Sequence, residues 1–174
     1  MKKIIIIGVI ILFISSVIYY NYYKRNLDYI PEISVVAGCV EARVESKIID
    51  KDETADEEIF KNIMDEKESI PYIWLGDIVQ IDFGDITPDS YELIDDILSE
   101  DGKLKWGQRF SEPVDLIYDD HIYYYTLEFN MASGLNSNLL DWKGKTFRGF
   151  RLICNYKNKK YEYGFVIRTD AFYR

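Results

Sequence analysis

A long apolar segment near the start of the chain limits most strongly what this protein can be. Residues 4–18 read IIIIGVIILFISSVI, without a charge, and four tyrosines follow by residue 23. A helix over residues 4–23 would be about 30 Å long, which matches the hydrocarbon core of a bilayer. Cationic residues flank both ends, and tyrosines favour the membrane interface. The pattern therefore predicts a transmembrane anchor over residues 4–23.

Two cleaved export signals compete with an uncleaved anchor. A secretory signal needs small residues at its cleavage site, and the best site, after Ser16, has Ile14 three positions back. The letters VAGC at residues 36–39 match a bacterial lipobox, but Cys39 lies far beyond the apolar run and across several charged residues. An uncleaved signal anchor fits the sequence best.

The uncleaved anchor implies a single-pass cell-membrane protein with most of its chain outside the cytoplasm. Cations lie on both sides of the apolar run, so the orientation is inferred from the very short N-terminal tip. The predicted order is a cytoplasmic tip (1–3), an anchor (4–23), a linker (24–33) and an extracytoplasmic domain (34–174). Such a length suits one domain with its own hydrophobic core.

Charge is distributed unevenly along the chain. The net charge is −9, and residues 143–174 hold 9 cations and 2 acids, so the acids are concentrated before residue 143. A net-negative exported domain argues against nucleic acid as a partner. The basic C-terminal segment either faces an anionic wall polymer or covers the acidic half of the same domain.

Alternation of apolar and polar residues predicts strands along most of the exported domain. The predicted strands are 40–45, 78–83, 122–129, 147–156 and 161–168. A capping box at residues 54–57 predicts a short amphipathic helix over 55–67, with an apolar face of Ile59, Phe60, Ile63 and Met64. Residues 91–98 fit a helix by the spacing of their apolar residues and a strand by the turn at 100–102.

The last predicted strand has two unlike faces. Tyr161, Tyr163, Phe165 and Ile167 alternate along it and are expected to point into the core. The opposite face carries Glu162, Gly164 and Arg168, which suits solvent, although Val166 would be an exception there. Four alternating tyrosines, Tyr123, Tyr125, Tyr161 and Tyr163, are expected to fill the core, and an exposed stacking surface for sugars or peptides is the alternative.

The sequence predicts no catalytic, metal or cofactor site. His121 is the single histidine, and no nucleophile motif accompanies it. The Asp-Phe-Gly at residues 82–84 lacks the other kinase motifs, and the acidic stretch at 50–54 lacks the glycine and glutamate of a calcium loop. A hydrolase that uses two of the many carboxylates is a distant alternative, but nothing in the sequence distinguishes any pair.

Two sets of residues are candidates for a functional role. Cys39 and Cys154 could form a disulfide in an export compartment, or each could be a small buried side chain. Tryptophans beside glycines are expected near loops, where the basic segment also supplies cations. The predicted ligand patch consists of Trp106, Trp142, Lys143 and Lys145.

Several segments resemble a known group of domains. They are RGFRLIC at 148–154, EYGFVIRTD at 162–170 and PDSYEL at 88–93, together with the turn at 100–102. The chain over about 75–170 resembles uncharacterised, membrane-anchored, extracytoplasmic immunoglobulin-like domains of Firmicutes-type bacteria. The resemblance implies a β-sandwich at the cell surface without enzymatic activity, and it favours a strand over 91–98.

The expected fold is mainly β, an antiparallel immunoglobulin-like β-sandwich of roughly seven strands with one short helix. The expected role is non-catalytic, as a binding or structural part of the cell envelope, with an envelope protein or an anionic wall polymer as the partner. A module that binds cell-wall polymer or carbohydrate is the alternative.

Overall fold

Two antiparallel sheets account for the strands of the computed structural model, which describes residues 15, 16, 19, 30–49, 58–119, 122–135, 144–157 and 159–172. The chain divides into two units, Met1–Ile30 and Pro31–Arg174, and both sheets belong to the second. In the first unit the described residues Ser15, Ser16 and Tyr19 are helical. The rest of the predicted anchor lies outside the described residues, and no helix within them is long and apolar enough to cross a bilayer.

Each sheet contains five strands, and every neighbouring pair is antiparallel. The first sheet contains β1 (Ser34–Ala37), β2 (Val40–Ala42), β4 (Ile78–Asp82), β7 (Ile117–Asp119) and β8 (Ile122–Thr126), in the order β2-β1-β4-β8-β7. The second contains β3 (Val44–Ile49), β5 (Ser90–Leu98), β6 (Glu112–Val114), β9 (Thr146–Tyr156) and β10 (Lys159–Thr169), in the order β3-β10-β9-β5-β6.

Short helices complete the described part of the chain. Helix α1 spans Glu58–Met64 and α2 spans Met131–Gly134, with 3-10 turns at Lys67–Ser69 and Gln108–Phe110. The mainly β, antiparallel prediction is confirmed. The described residues form ten strands rather than roughly seven, because short edge strands such as β6 and β7 carry too few residues to show alternation.

The two sheets contact each other through aromatic side chains. The ring of Tyr125 in β8 lies 5.3 Å from that of Phe150 in β9, and Phe150 stacks on Phe165 of β10 at 5.0 Å between centroids. Val79 and Ile81 of β4 are fully buried. Tyr125, Tyr161 and Tyr163 are buried too, so these tyrosines belong to the core as predicted. Tyr123 is only half-buried, with its ring edge-on to those of Phe83 and Tyr91.

The strand predicted over residues 40–45 is two strands in different sheets. The chain leaves the first sheet at Arg43, so that β2 pairs with β1 while β3 pairs with β10. The prediction of one continuous strand is therefore wrong. Alternation runs through Arg43 without a break, because each half is an edge strand with its own exposed side.

Residues 91–98 form a strand, as the resemblance implied. They belong to β5, which pairs with β9 along its whole length and with β6 on its other side. Leu93 and Ile97 are buried on the face towards the first sheet, and Leu98 is buried on the other face against α1. Burial on both faces explains why the apolar residues had a spacing that also fitted a helix.

Helix α1 covers the outer face of the second sheet. Its predicted apolar side chains Ile59, Phe60, Ile63 and Met64 are all buried. Glycines let it approach the strands, because a Cβ at Gly149 would lie 2.9 Å from Phe60 and one at Gly164 would lie 2.9 Å from Ile59. The helix is confirmed for Glu58–Met64, while its predicted capping box at 54–57 lies outside the described residues.

The inward face of β10 is as predicted, and the outward face is not. The four residues expected in the core are buried: Tyr161, Tyr163, Phe165 and Ile167. Glu162 is also fully buried, with an oxygen 3.3 Å from Lys47 Nζ, and Val166 packs against α1. The solvent assignment is wrong for Glu162 and Gly164, which are buried, because α1 covers this face of β10 at Gly164 and Val166, whereas Arg168 is half-exposed.

Candidate functional site

The predicted ligand patch is only partly within the described residues. Trp106 is half-buried and Lys145 is exposed, whereas Trp142 and Lys143 lie outside the described residues. The ammonium group of Lys105 lies 5.9 Å from the centroid of the Trp106 ring, within reach of a cation–π contact. Lys145 and Lys105 both line one cleft, whereas Trp106 does not.

This cleft, which we name the basic cleft, gathers cations from distant parts of the chain. Its volume is about 500 Å³, within the usual range for ligand sites. Four cationic side chains line it together with two acidic ones: Lys67, Lys105, Lys145 and Arg168, with Glu68 and Glu100. The cations therefore outnumber the acids in a chain whose net charge is −9.

A tight turn after β5 positions Lys105. The amide of Gly102 donates to the carbonyl of Ser99 at 3.0 Å, and the amide of Lys105 donates to the carbonyl of Ile97 at 2.9 Å. Gly102 has a φ of 81°, a left-handed conformation that glycine adopts without steric cost. The turn thus fixes the backbone of Lys105 beside the end of β5.

Lys145 is positioned by a polar contact just before β9. The amide of Gly144 donates to Asp170 Oδ1 at 2.9 Å, and the Tyr72 hydroxyl donates to the same oxygen at 3.0 Å. Gly144 has a φ of 70°, and a Cβ there would lie 2.9 Å from the Tyr72 ring. A residue other than glycine would therefore displace the segment that carries Lys145.

The four cations are engaged to different degrees. Arg168 Nε donates to the carbonyl of Ile70 at 3.1 Å, and Lys67 Nζ lies 3.4 Å from Glu100. Lys105 and Lys145 form no ion pair with any residue that the structure describes. Because exposed ion pairs are weak, Lys67 remains available to an anionic ligand together with Lys105 and Lys145. Arg168 keeps its other N–H donors besides Nε.

Two ion pairs in the second sheet were not found from the sequence. Arg148 donates two hydrogen bonds to Asp95, at 3.1 and 2.5 Å, while Arg151 Nε donates to Asp96 at 2.7 Å. All four side chains are buried. The sequence did contain a signal for these ion pairs, because charged residues lie inside strands that are otherwise apolar. Because Asp95 and Asp96 are adjacent in β5, they point to opposite faces of the sheet and do not form a catalytic carboxylate pair.

The two cysteines do not pair in the structure. Both are free: Cys39 is exposed in the turn between β1 and β2, and Cys154 is buried in β9. Burial raises the pKa of the Cys154 thiol to about 12. The VAGC letters at residues 36–39 thus belong to the end of β1 and its turn. The prediction of a small buried side chain therefore holds for Cys154 but not for Cys39, which is exposed.

His121 lies outside the described residues. Within the described part of the chain, no group of three or more His, Cys, Asp or Glu side chains could hold a metal ion.

Comparisons of the chain with protein-family models, with curated proteins and with solved structures found no match. The resemblance to extracytoplasmic immunoglobulin-like domains therefore stays a prediction.

Proposed function

We propose that this chain is a single-pass cell-envelope protein whose residues 31–174 form a non-catalytic binding domain for an anionic wall polymer. Residues 4–23 anchor it in the cell membrane with the domain outside. The observation that carries the binding role is the basic cleft, where Lys67, Lys105, Lys145 and Arg168 converge. The two five-stranded antiparallel sheets support an immunoglobulin-like sandwich as the scaffold.

The charge distribution favours a polyanion over a small anion. A single charge pair about 4 Å apart is worth only about 1 kcal/mol in water, so one contact gives little affinity. Repeated anionic groups along a polymer can contact several cations of the basic cleft at once, and linked contacts reinforce one another. The acidic remainder of the domain repels the polymer, which confines binding to this cleft.

A binding measurement with matched charge variants tests this proposal. The full-length protein in detergent micelles is titrated with poly(glycerol phosphate), a model of a phosphate-linked wall polymer. The variant Lys105→Gln/Lys145→Gln should bind about 2- to 30-fold more weakly, because each exposed charge pair contributes about 0.2–1 kcal/mol. Its affinity should also depend less on salt, since fewer charges take part.

The control variant Lys157→Gln/Lys159→Gln removes the same charge elsewhere. Lys157 is exposed and Lys159 is half-buried, and both lie outside the basic cleft at the turn between β9 and β10, at the opposite end of these strands from Lys145 and Arg168. It should bind almost as tightly as the unmodified protein. Equal weakening of both variants, or equal binding of an uncharged polymer such as dextran, would overturn the proposal.

A further inference from the structure

A second cleft of opposite charge lies where the chain passes from one sheet to the other. Its volume is about 380 Å³, and its lining includes residues of β6 at the edge of one sheet and of β7 at the edge of the other. We name it the acidic cleft, because Glu112, Asp115 and Glu128 line it. It shares no lining residue with the basic cleft.

The floor of the acidic cleft is a preformed ion pair. Asp95 and Arg148 line it and bind each other, Asn130 Nδ2 donates to Asp95 at 2.6 Å, and Arg148 Nη1 donates to the carbonyl of Glu128 at 2.5 Å. The charges of this pair cancel. The net negative charge of the cleft therefore comes from Glu112, Asp115 and Glu128.

Tyr125 supplies an independent indication that the acidic cleft holds a ligand. It lines the cleft and is only 3% exposed, yet its buried hydroxyl has no hydrogen-bond partner among the described residues. Burial keeps the pKa of this phenol well above its usual range, so the group is a neutral hydroxyl that can both donate and accept. Buried polar groups are rarely left unpaired, and a ligand in the cleft would pair with this one.

The remaining lining selects the chemistry of the ligand. Pro113, Val114, Ile117 and Phe129 form apolar walls between the carboxylates. The described acids do not converge closely enough to hold a metal ion. One Glu112 oxygen already accepts from the amide of Met131 at 3.0 Å, which orients that carboxylate. Spread carboxylates with apolar surface between them suit an organic cation on an aliphatic stem.

We propose that the acidic cleft binds an ammonium or guanidinium group on a short apolar stem. The cation lies near Asp115 and Glu128, the stem packs against Val114 and Ile117, and the Tyr125 hydroxyl accepts a hydrogen bond from the cation. A lysine or arginine side chain of a partner protein and a free aliphatic amine both carry this chemistry.

Titration of the full-length protein with three small probes tests the proposal. They are N-acetyl-lysine methylamide, the corresponding norleucine compound, which has a similar aliphatic stem but no charge, and 1,5-diaminopentane. The variant Asp115→Asn/Glu128→Gln should weaken binding of the charged probes about 2- to 30-fold. Tyr125→Phe should weaken it about two- to tenfold, which corresponds to one hydrogen bond, without a lower melting temperature.

The control variant Glu41→Gln/Asp85→Asn makes the same chemical changes at exposed positions outside the cleft and should bind normally. Preference for the lysine compound assigns the site to a protein side chain, and preference for the diamine assigns it to a free amine; both support the proposed chemistry. Equal binding of the norleucine compound, equal loss in the control variant, or no binding of either amine overturns it.

Discussion

Cys39 and Cys154 differ so much in exposure that they should react separately. Cys39 is exposed, whereas Cys154 is fully buried and its pKa is raised to about 12 by burial. The thiolate is the reactive form, so at pH 8 a thiol reagent should modify Cys39 quickly and Cys154 only after unfolding. Mass spectrometry of the labelled protein, native and denatured, should give one modification and then two.

The buried Cys154 thiol should also make the stability of the fold depend on pH. Folding raises the pKa of Cys154 from 9.0 to about 12, so the unfolded chain loses this proton first as pH rises. Its contribution to the free energy of unfolding is therefore complete below pH 9 and is lost between pH 9 and 12. Cys154→Ala should reduce the slope of the free energy of unfolding against pH in that range.

The labelling experiment also tests the alternative of a disulfide. If the denatured protein had no reactive thiol before reduction, the two cysteines would be paired.

Single residues also show how far the sequence could define the basic cleft. Lys145 was predicted as part of a ligand patch, because it lies in the basic C-terminal segment beside a tryptophan. Lys67 and Lys105 lie far from it in sequence. Lys105 reaches the same cleft through the pairing of β5 with β9, and Lys67 reaches it because residues 70–73 are hydrogen-bonded to Arg168 of β10. Local patterns carry no information on such pairing, so three of the four cations were not predicted to act together.

At the scale of elements, the packing of α1 on β10 gives the sharpest stability prediction. Val166 lies in the cluster formed with Ile59 and Phe60 of α1. Val166→Thr keeps the shape of the side chain but places a hydroxyl in this apolar contact. We expect a loss of about 1–3 kcal/mol in the free energy of unfolding, measured by urea denaturation.

Val40→Thr is the matched control, since Val40 is also in a strand but is 48% exposed. It should change the free energy of unfolding by less than about 0.5 kcal/mol. Equal, small effects of the two substitutions would mean that α1 does not cover β10.

On the inward face of the same strand, Phe165→Ala should lower the free energy of unfolding by about 3–5 kcal/mol.

The same strand shows what alternation can and cannot predict. Period two separated the two faces of β10 correctly, because successive side chains always point to opposite sides. It could not tell that α1 would cover the second face, which depends on contacts between residues far apart in sequence. Val166 was the visible sign, as an apolar residue on a face otherwise assigned to solvent. The change from one sheet to the other at Arg43 could not be predicted for the same reason, because alternation does not indicate to which sheet a strand belongs.

At the scale of the whole molecule, the cations of the basic C-terminal segment are divided between two environments. Arg148 and Arg151 are buried against Asp95 and Asp96, so part of its charge is neutralised within the acidic half. Lys145 and Arg168 instead line the basic cleft. Strands β9 and β10 lie at the middle of their sheet, which brings this segment into contact with the acidic half on both sides.

The last prediction concerns the division of the molecule into an anchor and a domain. The unit Pro31–Arg174 contains both sheets, so it should fold without residues 1–30 and unfold in one cooperative transition with a β-type circular dichroism spectrum. The Tyr163 hydroxyl donates to the carbonyl of Pro31 at 2.8 Å. A fragment that begins at Ser34 lacks this acceptor and should be less stable by about 0.5–1.5 kcal/mol.

In cell fractions, the full chain should sediment with membranes while the fragment 31–174 stays in solution. Aggregation of that fragment, a mainly helical spectrum, or a full chain that does not sediment with membranes would contradict this division.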